Sequence, residues 1–526
     1  VRSGTEGARL ASEVSGPFSA HPAHFVDPVD AADLGRLVAW AAREGVALVP
    51  RGGGTGMPGG NLGAGVVVRV EAGFRALEPL ADDGSRFRVG AGVRGSELER
   101  AASEFGRTFA PLPSSARWCT LGGMVANNAA GARSFGHGAV AAWVEAVSGI
   151  DALGRPFALR RGGEPAEHSG AIGNTGGGSV VSGPLAEVAS LDFAGEHLRA
   201  DGRLAGWPSV RKNSSGYALD RFLPGRDLLQ LLVGSEGTLG FITDVEVRTT
   251  PNPEARGVAL VPAASPDEVT AVALGARELG CSACEFLGRR FIEIARLAED
   301  PEVGAHARGA FSLLLLEVEG TPDEVRCGLE ACAALGRSAG AGAGIGAVGG
   351  VAAERLWALR HAASPIIARE AGRGLISTQF IEDCVVPVVR LGEYLEGIER
   401  ILSGEATGSR GFDAVVFGHA GDGNVHVNPL VDVESPDWEE RVRATLTAVV
   451  ELVAALGGTL AGEHGDGRLR TPFVRTIWGD ERADAFGRIK AAADPAGILN
   501  PGVIVALEGQ DPLDGFTPRV RRVPVG

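Results

Sequence analysis

The residues best suited to chemistry lie in two glycine-flanked segments, Ala414–Asn428 (AVVFGHAGDGNVHVN) and Ala461–Gly467 (AGEHGDG). The stretches on either side of Gly421-Asp422-Gly423 alternate like strands, and Asp-Gly between them is turn chemistry. A hairpin turning on Asp422-Gly423 sets His419 directly opposite His426, with Cβ atoms about 4.5–5.5 Å apart. Asn424 and Asn428 share that face, because strand side chains repeat every second residue. Two imidazoles so placed can reach one divalent cation at about 2.0–2.1 Å. Glu463 is the best candidate for a third ligand, and His464 follows it immediately. The competing reading is a pair of histidines decorating an exposed hairpin. Three site-type residues in two glycine-flanked segments favour the metal.

The elements around these residues can be read from periodicity. Residues 28–46 have the apolar spacing of an amphipathic helix, with Asp30 and Asp33 near its start and Gly45 at its end. A short strand to Pro50 leads into Arg51-Gly52-Gly53-Gly54-Thr55-Gly56, and a second strand spans Val66–Val70. So many glycines between strands leave peptide N–H groups approachable, the arrangement that cradles a pyrophosphate. No GxGxxG feeds a long helix, which disfavours a Rossmann fold. A flexible surface loop is the alternative. A second Gly/Ser/Asn-rich segment runs from Pro111 to Gly138, and a third is Arg211–Tyr217 (RKNSSGY), followed by Leu231–Gly240 (LLVGSEGTLG). Three glycine-lined loops spaced by strands and helices predict one long ligand held by an α+β domain ending near Pro251. Beyond Gly257 the predicted order β-α-β-β-α-β suits a sheet with helices on one face. A Gly/Ala linker is expected at 337–350, a helix over 353–371, a strand over 380–387 and a helix over 437–456. Residues 161–188 read as a surface loop, and the tail past Val505 as loosely ordered.

Composition bounds the function. The 526 residues carry a net charge of −15 with 44% hydrophobic and 22% charged residues. That describes a globular enzyme with more than one domain and excludes the basic stripe nucleic acid demands. No apolar run approaches the roughly 20 residues of a membrane span, and the first residues lack a signal-peptide plan. Six scattered cysteines suggest a reducing compartment, hence a cytoplasmic protein, free or peripheral to the inner face of the membrane. Cys281 and Cys284 read as structural. Lys212 and Lys490 are the only lysines. Where arginine is so favoured, a retained lysine marks a place that a planar fork cannot fill.

PRGGGTG, PSS…TLGG…NNAAG, VGSEGTLG, GHAGDGNVH, GEHGDG and ILNP, in that order over about residues 20–505, resemble the FAD-binding 2-hydroxy-acid dehydrogenase family. It comprises the D-lactate, glycolate and D-2-hydroxyglutarate dehydrogenases with a vanillyl-alcohol-oxidase-type FAD domain. The resemblance implies an α+β fold in three parts. Residues 1–252 would form the two-part FAD-binding domain, and 253–475 an α+β substrate and metal domain with a helix-covered sheet. Residues 476–526 would return to the FAD domain. It implies that noncovalent FAD is bound by Arg51, Gly52, Gly53, Gly54, Thr55, Gly56, Pro113, Ser114, Ser115, Thr120, Gly122, Gly123, Asn127, Gly234, Glu236, Gly237 and Asn500. His419, His426 and Glu463 would hold a divalent metal (Zn, Mn or Fe), His464 would be the base, and Arg360 would grip the substrate carboxylate. For Arg360 a helix-surface ion pair is the alternative; His361 and Arg369 are read as structural.

The implied reaction oxidises a D-2-hydroxy acid to the 2-oxo acid, with metal-assisted loss of the hydroxyl proton and hydride transfer to flavin N5. Electrons would pass to a quinone, an electron-transfer flavoprotein, a cytochrome or an iron–sulfur protein, and the chain could act as a homodimer. One departure concerns substrate. Relatives that take dicarboxylates resemble Lys-Tyr-Asp where this chain has Ile381-Glu382-Asp383, which argues against D-2-hydroxyglutarate. RKNSSGY with GEHGDG also resembles members that continue into an iron–sulfur domain. Two other classes compete: a metal-dependent hydrolase using the His-His-Glu set without flavin, and a non-catalytic FAD-binding subunit of a redox complex.

Overall fold

Near the N-terminus three parallel strands lie in the order His24–Val26, Val66–Arg69, Leu48–Arg51. Helix Ala31–Glu44 links the two outer strands. The Asp30 carboxylate accepts the Asp33 N–H at its start, and Gly45 closes it at φ 65°, an angle that glycine adopts without a Cβ clash. Leu34, Val38 and Ala41 form its buried stripe. The neighbouring parallel strands Leu48–Arg51 and Val66–Arg69 are joined by the glycine loop at 52–65 instead of a helix. The computed structural model describes residues 16–163, 165–166, 179–193, 204–342, 344–363, 366–367 and 375–517.

Beside these strands lies a seven-stranded sheet ordered Leu77–Pro79, Arg86–Gly90, Phe241–Arg248, Val144–Ile150, Pro156–Arg160, Ser179–Val180 and Pro165–Ala166. One core joins both sheets. It draws on residues 34–247 and again on Val474, Trp478, Phe486, Ile489, Leu499 and Ile504. Helix Asp480–Ala493 therefore packs on the N-terminal half, with Phe486 edge-on to Tyr217. The Leu48 N–H donates to Ile498 O and the Asn500 N–H to Leu48 O.

The second seven-stranded sheet runs Ile345–Val348, Ala255–Ala263, Ser312–Gly320, Ala283–Gly288, Asp413–His419, Asn424–Val431, Ile376–Ser377. Its first four strands have the order that a β-α-β-β-α-β chain produces, and the histidine hairpin extends that sheet. The expected one-sided cover needs correction. Alternate residues of one strand enter different cores: Leu314 and Leu316 lie on one face, Leu313 and Leu315 on the other. Helices cover both faces, which is why Leu313–Leu316 is an unbroken apolar run instead of an alternating one.

Several expectations also change. Residues 380–383 form a turn, and Val385 makes only isolated bridges, to Asn424 and Thr459. The linker contains strand Ile345–Val348, the helix before it runs to Ser338, and the helix after it is Gly350–His361. Within 161–188, helix Pro184–Ser190 forms. Residues 506–517 are anchored: Phe516 packs edge-on against Phe18, Arg443 pairs with Asp511, and the Thr517 N–H donates to Pro17 O. Arg369 lies outside the described residues. All six cysteines are free, and Cys281 and Cys284 are buried. Among the described residues no helix is long and apolar enough to cross a membrane.

Candidate active site

The hairpin forms, but its register is displaced by two residues from the expected one. His419 pairs with Asn424, and Phe417 with His426. The turn is a short 3-10 segment, Ala420–Asp422, closed by Gly423 at φ 68°. An even displacement keeps every side chain on its face, so the histidines still meet diagonally, with ring centroids 5.1 Å apart at 82°. Glu463 completes the group: its Oε1 lies 3.3 Å from Nε2 of both His419 and His426. Two ligands each about 2.05 Å from a tetrahedral centre are roughly 3.3 Å apart. The three donors therefore have the chemistry and spacing of a divalent metal site. All three residues are buried.

The tripeptide Ile381-Glu382-Asp383, which in the sequence signals only a missing lysine, is the scaffold of this site. Asp383 Oδ2 accepts the backbone N–H groups of Gly462, Glu463 and His464 at 2.8–3.1 Å. Glu382 Oε2 is 2.8 Å from His464 Nδ1, its backbone oxygen is 2.8 Å from His426 Nδ1, and its other carboxylate oxygen accepts from Arg470. A carboxylate takes protons on neither oxygen when ionised, so Nδ1 of His464 carries the proton and Nε2 is left to the cavity, 3.6 Å from Glu463 Oε1. The spacing of Glu382 and Asp383 in the chain carries no signal of this; only the turn at 380–383 brings them under the histidines.

Buried charge dominates the site. Burial pushes the His426 and His464 pKa values down, but neighbouring carboxylates outweigh it and raise both: Glu382 and Glu463 take His426 to about 10, and Glu382 and Asp383, then Glu463, raise His464. Burial opposes ionisation of Glu463, yet Lys212 and His419 hold its pKa well below the usual range. The pull of Glu463 on both imidazoles is one that a bound dication would neutralise. Lys212, retained where arginine prevails, donates to Glu463 Oε2 at 3.0 Å and lies 3.5 Å from Asp422 Oδ2.

Arg360 projects from helix Gly350–His361 into the same space. Its Nε donates to Glu285 Oε2 at 2.7 Å, and its guanidinium lies 4.7 Å over the Phe417 ring. His361 stacks on Trp357, ring centroids 5.7 Å apart.

A single cavity of about 1190 Å³ joins this site to the glycine loops. One end is lined by Glu285, Arg360, His419, His426, Glu463 and His464. Its other walls are Arg51–Gly56, Pro113–Ser115, Thr120, Gly122, Gly123, Asn127, Glu236 and Gly237. A Cβ on Gly53 would sit 1.9 Å from Trp118 O, so the first glycine loop can lie on the second only without side chains. Gly234 and Asn500 stand behind the wall. The Gly234 N–H donates to Val125 O, and Asn500 Nδ2 donates to Gly60 O and Glu236 O at 2.8 Å. Asn127 donates to His464 O at 2.8 Å and ties the glycine-lined wall to the histidine loop.

Comparison with known proteins agrees with this geometry. Residues 22–160 match the FAD binding domain family and residues 252–504 the family of FAD linked oxidases, C-terminal domain. Alkyldihydroxyacetonephosphate synthase superposes over 91% of this chain and 75% of its own, with a TM-score of 0.58 at 15% identity. The fold is thus the α+β FAD-binding fold of the vanillyl-alcohol-oxidase type, and the protein is a flavin-linked oxidoreductase. The D-lactate dehydrogenase of Archaeoglobus fulgidus is 28% identical, aligning over 93% of each chain. Glycolate oxidase subunit GlcD of Escherichia coli K12 is 30% identical over 92% of this chain and 84% of its own. The chain belongs to the FAD-linked 2-hydroxy-acid dehydrogenase family.

Proposed function

We propose that this protein oxidises a short D-2-hydroxy acid with a single carboxylate to its 2-oxo acid. The observation that carries the reading is the one cavity shared by the glycine-lined walls, the His-His-Glu group and Arg360. A hydrolase would leave the glycine walls without purpose, and a relay subunit would leave the buried ligand set without purpose. The walls named above, with Gly234 and Asn500 supporting them, would hold FAD noncovalently; when bound, FAD accepts the hydride from the substrate's Cα. His419, His426 and Glu463 would hold a divalent cation, which when bound lowers the pKa of the substrate hydroxyl.

The remaining work falls to side chains. Arg360, its Nε fixed on Glu285, offers its remaining N–H groups to the substrate carboxylate and so sets which face of Cα meets the flavin wall. His464, held through Nδ1 by Glu382, presents Nε2 to the hydroxyl and takes its proton in the unprotonated form, which a cation beside Glu463 would favour against the carboxylates that raise its pKa. The other described cations at this end are already committed. Among the described residues Arg133 is paired with Glu317 and Arg256 with Glu319, and Ile381-Glu382-Asp383 stands where relatives that take dicarboxylates resemble Lys-Tyr-Asp, which together favour D-lactate or glycolate over D-2-hydroxyglutarate. We assign residues 1–252 to flavin binding, 253–475 to substrate and metal, and 476–526 to the return segment.

The test is the visible spectrum of the anaerobic protein before and after D-lactate, L-lactate, glycolate, D-malate and D-2-hydroxyglutarate, each added alone. Bleaching of the flavin by D-lactate or glycolate is expected; a yellow protein that none of the five reduces would overturn the substrate class. Dialysis against a strong chelator should leave the yellow colour and slow bleaching by on the order of 10²-fold or more, with recovery on adding zinc or manganese. Unchanged bleaching after verified metal removal would dispose of the metal.

A further inference from the structure

We infer that Glu285 is a positioning residue that ties the metal ligand His419 to the substrate anchor Arg360, a role that rests on the metal-assisted reading above. Glu285 is fully buried in strand Ala283–Gly288, whose Phe286 and Leu287 pair with Gly418 and Phe417 of the histidine hairpin. Its two oxygens are divided between the two halves of the reaction. Oε1 lies 2.6 Å from His419 Nδ1, and Oε2 accepts the Arg360 Nε–H at 2.7 Å. A carboxylate buried this deeply persists only with such partners.

Each contact fixes something the chemistry needs. An ionised Oε1 can only accept, so Nδ1 of His419 holds the proton and the lone pair on Nε2 faces Glu463 Oε1, 3.3 Å away. Among the described residues the Arg360 side chain hydrogen-bonds to Glu285 alone, and Phe417 beneath it and Glu285 beside it hold the fork at the cavity wall. One side chain thereby sets the distance between the group that grips the carboxylate and the cation that meets the hydroxyl. A hydroxy acid must span that distance with two adjacent carbons. The sequence gives no hint of this, because Glu285 sits in the apolar strand ACEFLG.

Flavin-loaded Glu285→Gln tests the inference. Glutamine keeps the length but removes the charge and turns an N–H toward one of two donors. Zinc affinity, measured by competition with a chromophoric chelator, should fall about 10–100-fold. Oxalate, a planar mimic of the substrate's two oxygen-bearing carbons, should bind about tenfold more weakly by flavin difference spectrum at saturating zinc. Arg360→Met should weaken oxalate and spare zinc. Glu285→Asp, too short to reach both partners, should restore one affinity and not the other, and it serves equally if the glutamine variant does not fold. Wild-type zinc and oxalate affinities in both Glu285 variants, or loss of one with the other intact in Glu285→Gln, would overturn the inference. A wild-type enzyme that binds no zinc would instead bring down the metal reading, and this inference with it.

Discussion

Replacing His464 by alanine is expected to leave a yellow, folded protein whose flavin is reduced by hydroxy acid on the order of 10²–10⁴-fold more slowly. The fold should survive because the loop is held by its backbone: the His464 N–H donates to Asp383 and its C=O accepts from Asn127. The lost imidazole is partly exposed, with 27% of its side chain accessible, so no sealed cavity is left behind. Glu382 keeps Arg470. Rapid mixing with substrate, beside flavin content and zinc affinity, separates the outcomes. Slow reduction with both loads intact assigns the proton to His464; normal reduction removes that role.

Lys212→Met should cost about 3–5 kcal/mol, the usual consequence of stranding buried charge. The side chains involved are 3% (Lys212), 8% (Glu463) and 1% (Asp422) exposed. Two effects of opposite sense bear on Asp422: Lys212 pulls its pKa down, but burial is larger and raises it. Glu463 is the principal partner, nearer at 3.0 Å and held strongly ionised. Urea denaturation of the zinc-free flavoprotein should therefore show a marked loss, with Lys212→Arg intermediate because a planar fork replaces a compact ammonium. A methionine variant as stable as wild type would show that Glu463 does not depend on Lys212.

Much of this was readable where chemistry imposes short-range spacing. The hairpin, the AGEHGDG loop and the glycine walls each carry their signal within about a dozen residues, and they converge in one cavity. The register of the hairpin was not readable, because Asp422-Gly423 offers a two-residue turn and the 3-10 segment Ala420–Asp422 takes its place. The faces survived that error because the displacement was even. The supporting roles of Glu382, Asp383 and Glu285 are not readable for a different reason. Their roles arise from contacts 44 to 134 residues away in the chain, and nothing local distinguishes a supporting carboxylate from a surface one.

The loop from Gly462 to Gly467 takes its shape from both halves of the molecule. Asp383, from the turn at 380–383 beside the second sheet, holds Gly462, Glu463 and His464. Glu236, from the glycine-lined wall, accepts the Asp466 and Gly467 N–H groups, and Ser214 accepts the Gly465 N–H. Modular evolution by shuffling is thereby restricted. A substrate half transplanted from a relative would arrive with its own sheet and cavity end, yet would be inert unless residues 214, 236, 382–383 and 462–470 travelled as one set. New specificities in this lineage should arise by substitution along the cavity wall more readily than by exchange of whole halves.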